Sequence, residues 1–192
     1  MVKGSGNLSS GTVAASCRAA LAELAEVVAE MDDRAVRSAC NLIAGSNRIA
    51  LYGCGREALQ IRGFAMRLFH LGLDVAMVGD INAPALEAGD LLICSSGPRG
   101  LATVDALMGI AAAAGARVLL LTAQPQADSV SLAKDTLVIP AQTMATDQGA
   151  QATSVLPMGS LYEGAMFVVL EILVLRLHAD ARAMRARHTN LE

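Results

Sequence analysis

Two glycine-bearing segments, Gly53-Cys-Gly-Arg-Glu57 and Ser95-Ser-Gly-Pro-Arg-Gly100, each follow a short apolar run and precede a helical pattern. A helix start presents N–H groups without intrahelical partners and the positive end of the helix dipole, which together favour an anion. Side by side, the two segments suit a phosphate or a carboxylate; taken singly, each reads equally well as a tight turn. Arg56 follows the first glycine pair, either as a clamp for such an anion or as a surface arginine at a helix start. Glu163 comes shortly after Pro157-Met-Gly159, in the first turns of an apolar helix. A carboxylate there complements the helix dipole or serves as a base. His70 stands near a helix C-terminus, where an imidazole caps carbonyls or acts as an acid. Cys17, Cys40, Cys54 and Cys94 form no Cys-x-x-Cys and sit in apolar contexts, which reads as buried reduced thiols rather than a disulfide or a metal site.

These residues need elements to hold them. Ser9 and Ser10 are placed to cap a helix running to about Glu30, with Leu21, Leu24, Val27, Val28 and Met31 at helical spacing. Asp32 and Asp33 open a second helix ending near Gly45. The period then changes. Short apolar strands are predicted at Arg48–Gly53, Asp74–Val78, Asp90–Ser95, Arg117–Thr122 and Thr136–Ile139, the last stopped by Pro140. Helices at Glu57–Leu71 and Leu101–Ala114 are closed by Gly72 and Gly115, and one or two helical turns are expected at Ser129–Lys134. Strands alternating with helices predict a three-layer α/β/α sandwich around a five-stranded parallel sheet, for which the flavodoxin-like order 2-1-3-4-5 is taken. In that order the strands reverse direction of winding between the first and third, where ligands bind beyond the strand carboxyl ends. Both glycine segments fall there.

The segment Ala141–Pro157 is polar and without pattern, and a loop of that length in a compact domain is usually functional. Met158 to about Ala179 forms an apolar helix. Leu161, Phe167, Val168, Leu170, Ile172, Leu173 and Leu175 make it apolar nearly all round, so it must be covered on every side. One domain supplies one cover, and a homo-oligomer supplies the other. The whole reads as a single domain over 1–192, with a helical arm at 1–46, a sheet core at 47–140 and a C-terminal helical region at 158–187.

Composition narrows the classes. Of 192 residues, 54% are hydrophobic, 17% charged and 3% aromatic, with a formal net charge of -3. Such a chain is not disordered. Its core is aliphatic, and nothing in its slight acidity suits a nucleic-acid phosphate backbone. The apolar stretches Ala102–Ala116 and Ala165–Leu175 fall short of the roughly 20 residues a membrane span requires. The polar start, Met1 to Gly11, carries no secretory apolar region. A soluble cytoplasmic protein, with no nucleic-acid or membrane partner, is the expectation.

The chain resembles the SIS (sugar isomerase) domain family, and within it the 6-phospho-3-hexuloisomerase branch. Carrying the resemblance are Gly53-Cys-Gly-Arg56, Phe64-Ala-Met-Arg-Leu-Phe-His-Leu-Gly72, Gly89-Asp-Leu-Leu-Ile93, Gly115-Ala-Arg-Val118, Pro157-Met-Gly-Ser-Leu-Tyr-Glu163 and Arg187-His-Thr-Asn-Leu-Glu192. It implies a homo-oligomer, most simply a tetramer, with active sites at subunit interfaces and neither metal nor organic cofactor. The implied reaction interconverts D-arabino-hex-3-ulose 6-phosphate and D-fructose 6-phosphate, a step of the ribulose monophosphate route, through an enediol. By the same resemblance Glu163 is the base and His70 the acid or orienting group. Gly53, Gly55, Arg56, Glu57, Ser95, Ser96, Gly97, Arg99 and His188 are then the sugar-phosphate contacts.

The departures concern the phosphate. The family's second loop reads Ser-Gly-Ser-Gly-Glu-Thr and grips phosphate with its hydroxyls; here Ser96, Gly97, Pro98, Arg99, Gly100 and Leu101 stand in those places. Pro98 removes a backbone donor, and Arg99 is the charged substitute. The family serine after Gly-x-Gly-Arg is Glu57, a carboxylate that repels a phosphate unless Arg56 or Arg99 pairs with it. Two other readings therefore stand beside the first: an isomerase of a different sugar phosphate, and a non-catalytic SIS module that binds one.

Overall fold

In the computed structural model, which describes residues 11–190, the strands form one parallel sheet in the order β2-β1-β3-β4-β5. The strands are β1 (Ile49–Tyr52), β2 (Val75–Met77), β3 (Leu91–Ser95), β4 (Arg117–Thr122) and β5 (Asp135–Val138). Helices α1 (Val13–Ala29), α2 (Asp33–Ala44), α3 (Glu57–Leu71), α4 (Ala102–Ala113), α5 (Ser160–Arg176) and α6 (Ala181–Ala186) surround it. The expected order is found, and all neighbouring strands are parallel, as crossover connections require. β3 is central, pairing Leu91, Leu92, Ile93 and Cys94 with β1 on one side and with β4 on the other.

Side chains alternate across the pleat. Ile49, Leu51, Leu91, Ile93, Leu119 and Leu121 face a large core built with α1, α2, α3 and α5. Ala50, Leu92, Cys94, Val118 and Leu120 face a smaller one under α4, closed by Val104, Met108 and Ala111. The layers are therefore unequal: four helices cover one face, and α4 with a 3-10 turn at Asp128–Leu132 covers the other. α5 packs against α1, α2 and α3. Among the described residues no helix is long and apolar enough to cross a membrane.

Boundaries shift where the backbone demands it. Ser9 and Ser10 lie outside the described residues, and the cap of α1 is Thr12, whose hydroxyl accepts from Ala15 N at 3.2 Å. α5 starts at Ser160, later than Met158, because Met158 and Gly159 take φ of 53° and 74°, which a right-handed helix excludes. The basic tail forms α6, capped by Asp180. The thiols are less uniformly buried than their contexts suggest: Cys94 is buried, Cys40 and Cys54 are half-buried, and Cys17 is exposed on α1.

The amino ends of β1 and β3 are tied by one buried carboxylate. Asp90 accepts from Arg48 N at 3.1 Å and from Glu87 N at 3.0 Å. Asp90→Ala leaves both donors without a partner, at roughly 1–3 kcal/mol each. Chemical denaturation should show a loss of about 2 kcal/mol or more, with Asp90→Asn, which keeps one acceptor, losing less. An Asp90→Ala protein as stable as the wild type contradicts this role.

Candidate active site

A cavity of about 350 Å³ opens at the carboxyl ends of β1 and β3, where the sheet order reverses. Its walls come from three parts of the chain. Cys54, Gly55, Arg56 and Glu57 lead into α3; Pro98 and Leu101 lead into α4; Thr143, Met144, Met158, Gly159, Tyr162 and Glu163 belong to the long loop and the start of α5. The two glycine segments do meet there, with the glutamate of the apolar helix beside them. Gly53 lies just behind, where a Cβ would meet Ala58 backbone at 3.1 Å, so only glycine lets α3 turn back so closely.

Glu57 is the most constrained group of the site. It is 9% exposed. Its carboxylate accepts from Gly97 N–H at 3.2 Å and 3.1 Å, through Oε1 and Oε2, and from the Ser95 hydroxyl. Burial raises its pKa above the usual carboxylate range, the hydrogen bonds from Ser95 and Gly97 oppose the rise, and the nearby Glu163 charge adds to it. Neither arginine pairs with it. Ser96 donates instead to the carbonyl of Arg99, whose side chain is exposed. Ser95, Ser96 and Gly97, expected to face a ligand, thus make their hydrogen bonds within the chain.

Arg56 turns the other way. Its Nη2 lies 2.5 Å from Glu163 Oε2 and donates to the Ser160 hydroxyl at 3.0 Å. The contact with Glu163 is electrostatic, because it lacks hydrogen-bond alignment and leaves Oε2 without a hydrogen-bond partner. The Glu163 side chain is 14% exposed against 56% for Arg56. Burial raises the Glu163 pKa, and the Arg56 guanidinium holds it back. Glu163 thus stands at the cavity wall with Oε2 buried against the guanidinium.

His70 and His188 are not at this cavity. His70 lies at the far end of α3, about 20 Å from Glu57 at 1.5 Å per residue. It is buried, and its ring stacks on His188 with centroids 5.2 Å apart and planes at 29°. α6 brings this about: Arg187 donates to the His70 carbonyl at 3.1 Å, and a Cβ at Gly72 would meet the Arg187 guanidinium at 2.9 Å. The His-Leu-Gly72 and Arg187-His pieces therefore touch each other, at the opposite end of α3 from Glu163.

Several site residues escaped sequence reasoning. Tyr162 is fully buried beneath the cavity, and a Cβ at Gly97 would lie 2.5 Å from its ring. Burial, then the Glu57 charge, pushes its hydroxyl pKa up, while Ser95 opposes the rise. The long loop has only a 3-10 turn at Gly149–Gln151 and is held by two side chains. Gln142 donates to the carbonyls of Thr146 and Gln151 at 2.6 and 3.1 Å and accepts from Ser154 N at 2.7 Å. Glu23 of α1 accepts from Val155 N at 2.9 Å. Nothing but the polarity of the loop signalled them. Among the described residues no three His, Cys, Asp or Glu side chains are grouped to hold a metal ion.

No family model matches the chain. A 3-hexulose-6-phosphate isomerase of Mycobacterium gastri is 36% identical over 174 residues, covering 88% of this chain and 86% of the relative. Those of Methylomonas aminofaciens and Bacillus subtilis (strain 168) are 34% and 32% identical, covering 79% and 78% of this chain and 84% and 83% of theirs. A Methanococcus jannaschii crystal structure, described as inferring a 3-hexulose-6-phosphate isomerase function, superposes with a TM-score of 0.78 at 24% identity, over 92% of this chain and 98% of that one. Another, of a hypothetical protein, reaches 0.84 at 23%, over 93% and 96%. These structural likenesses carry the fold.

The ion pair with Arg56 makes the Glu163 titration testable. Followed by carboxyl 13C NMR, Glu163 should lose its proton at higher pH than an ordinary glutamate, and at higher pH still in Arg56→Ala, which lacks the cation favouring the charged form. A midpoint unmoved by Arg56→Ala contradicts the coupling.

Proposed function

The chain belongs to the 3-hexulose-6-phosphate isomerase family of SIS-domain proteins, and on that footing we propose that it interconverts D-arabino-hex-3-ulose 6-phosphate and D-fructose 6-phosphate. The observation that carries the proposal is Glu163: a mostly buried carboxylate, paired with Arg56 through one oxygen, at the wall of a cavity large enough for a hexose phosphate. In this reading Glu163 takes the proton from C2 of the 3-ulose. The 3-carbonyl becomes an enol oxygen, giving a 2,3-enediol. The proton returns at C3, while the oxygen protons exchange so that the carbonyl re-forms at C2. Arg56 keeps the base charged until it acts.

His70 and His188 enter this reading from a neighbouring subunit, since about 20 Å along α3 separates His70 from the cavity of its own chain. The apolar surface supports an assembly. Met66 and Phe69 on α3 are 46% and 53% exposed, Phe167 and Leu175 on α5 54% and 72%, and Leu21 on α1 59%. α5 is thus not covered on every side by its own domain. We take the assembly to be a tetramer and its setting the cytoplasm, which the unpaired cysteines favour. Light scattering at micromolar concentration should give four times the chain mass, and Phe69→Asp with Phe167→Asp should give smaller species. A wild-type monomer mass contradicts the assembly.

Glu163→Gln keeps the shape and removes the base. Its turnover should fall about 100- to 10,000-fold with little change in KM, as for an interaction made in the transition state. Solvent deuterium should enter C3 of fructose 6-phosphate with the wild type and not at a comparable rate with the variant. A Glu163→Gln protein as active as the wild type overturns the assignment. A wild type that binds fructose 6-phosphate without exchange or isomerisation makes the chain a binding module.

A further inference from the structure

At the carboxyl end of β3 the Gly97 N–H and the Ser95 hydroxyl converge on one anion, and that anion is part of the chain. Glu57 accepts from Gly97 N at 3.1 and 3.2 Å and also from Ser95. Gly97 itself has no room for a side chain: an added Cβ would stand 3.0 Å from Glu57 Oε1 and 2.5 Å from the Tyr162 ring. Two other groups of the loop are lost to an anion, because Ser96 is turned onto the Arg99 carbonyl and Pro98 has no N–H. The charged side chains lining the cavity are Arg56, Glu57 and Glu163, and Arg56 is already paired with Glu163. A sugar phosphate brings close to two more negative charges at neutral pH.

We propose that Glu57 is an internal anion that competes with the substrate's phosphate for the Gly97 and Ser95 donors, and so sets how strongly this chain discriminates between phosphorylated and free sugars. The proposal rests on the reading of this cavity as the sugar-phosphate site. In the free protein the Glu57 carboxylate holds the donors. A phosphate engages them only when that carboxylate swings away, and the affinity for phosphate is lowered by the stability of the contacts it replaces. Removing the carboxylate hands the same donors to the ligand.

Titration calorimetry with inorganic phosphate, fructose 6-phosphate and fructose tests this on the wild type, Glu57→Ser and Glu57→Gln. Serine empties the place, whereas glutamine keeps the bulk and removes the charge. Phosphate and fructose 6-phosphate should each bind Glu57→Ser about tenfold tighter or more, as expected for freed hydrogen bonds to a charged group, with fructose affinity unchanged. Glu57→Gln should fall between. A folded Glu57→Ser whose phosphate affinity is unchanged or weaker overturns the proposal; should that variant not fold, unchanged phosphate affinity in Glu57→Gln does so. A wild type that fails to isomerise the sugar phosphate, beside a Glu57→Ser that gains phosphate affinity, removes the isomerase reading and leaves the role of Glu57 standing. A wild type that isomerises with a KM that Glu57→Ser leaves unchanged does the reverse.

Discussion

A carboxylate buried at the end of a parallel sheet has to be hydrogen-bonded, because an uncompensated charge there costs several kcal/mol. The way Glu57 meets that requirement organises the whole pocket. Its partner is the Gly97 amide, and Gly97 must be glycine because the Tyr162 ring lies against it. Tyr162 is in turn the residue before Glu163, so the ring that fixes the second loop also places Glu163. Glu163 meets Arg56, the neighbour of Glu57, and the circuit closes. Each member is held by the next, across β1, β3 and α5, without a residue from the opposite end of α3.

The two glutamates share a cavity and differ in surroundings. Glu57 accepts hydrogen bonds from Gly97 and Ser95. Glu163 has a cation beside it and an oxygen without a hydrogen bond. Both are pushed toward the neutral form by burial, but only Glu163 has an arginine to hold it charged. Environments that separate two carboxyl groups in this way suit them to different work; in the proposed function Glu163 takes the proton and Glu57 sets the shape and charge of the subsite.

Much of the fold was legible. Short apolar strands punctuated by glycine, most with helices between, point to a parallel sheet, and its order 2-1-3-4-5 brings Gly53–Glu57 and Ser95–Gly100 together. Glu163 at the start of α5 was legible through the Pro157-Met-Gly-Ser-Leu-Tyr-Glu163 match. The direction of side chains was not. Charge reasoning sets Glu57 against a phosphate or with an arginine; the fold gives it to a backbone amide, because α3 begins so close to the second loop. The stacking of His70 on His188 depends on α6 folding back under Arg187, a tertiary event without a local pattern. The staple formed by Gln142 and Glu23 is equally non-local.

The competition between Glu57 and a phosphate for one pair of donors is most directly tested by the crystal structure of the Glu163→Gln protein with fructose 6-phosphate. Phosphate oxygens should lie at hydrogen-bond distance from Gly97 N and Ser95 Oγ, with the Glu57 side chain swung off both. A phosphate bound elsewhere while Glu57 still accepts from Gly97 would contradict it.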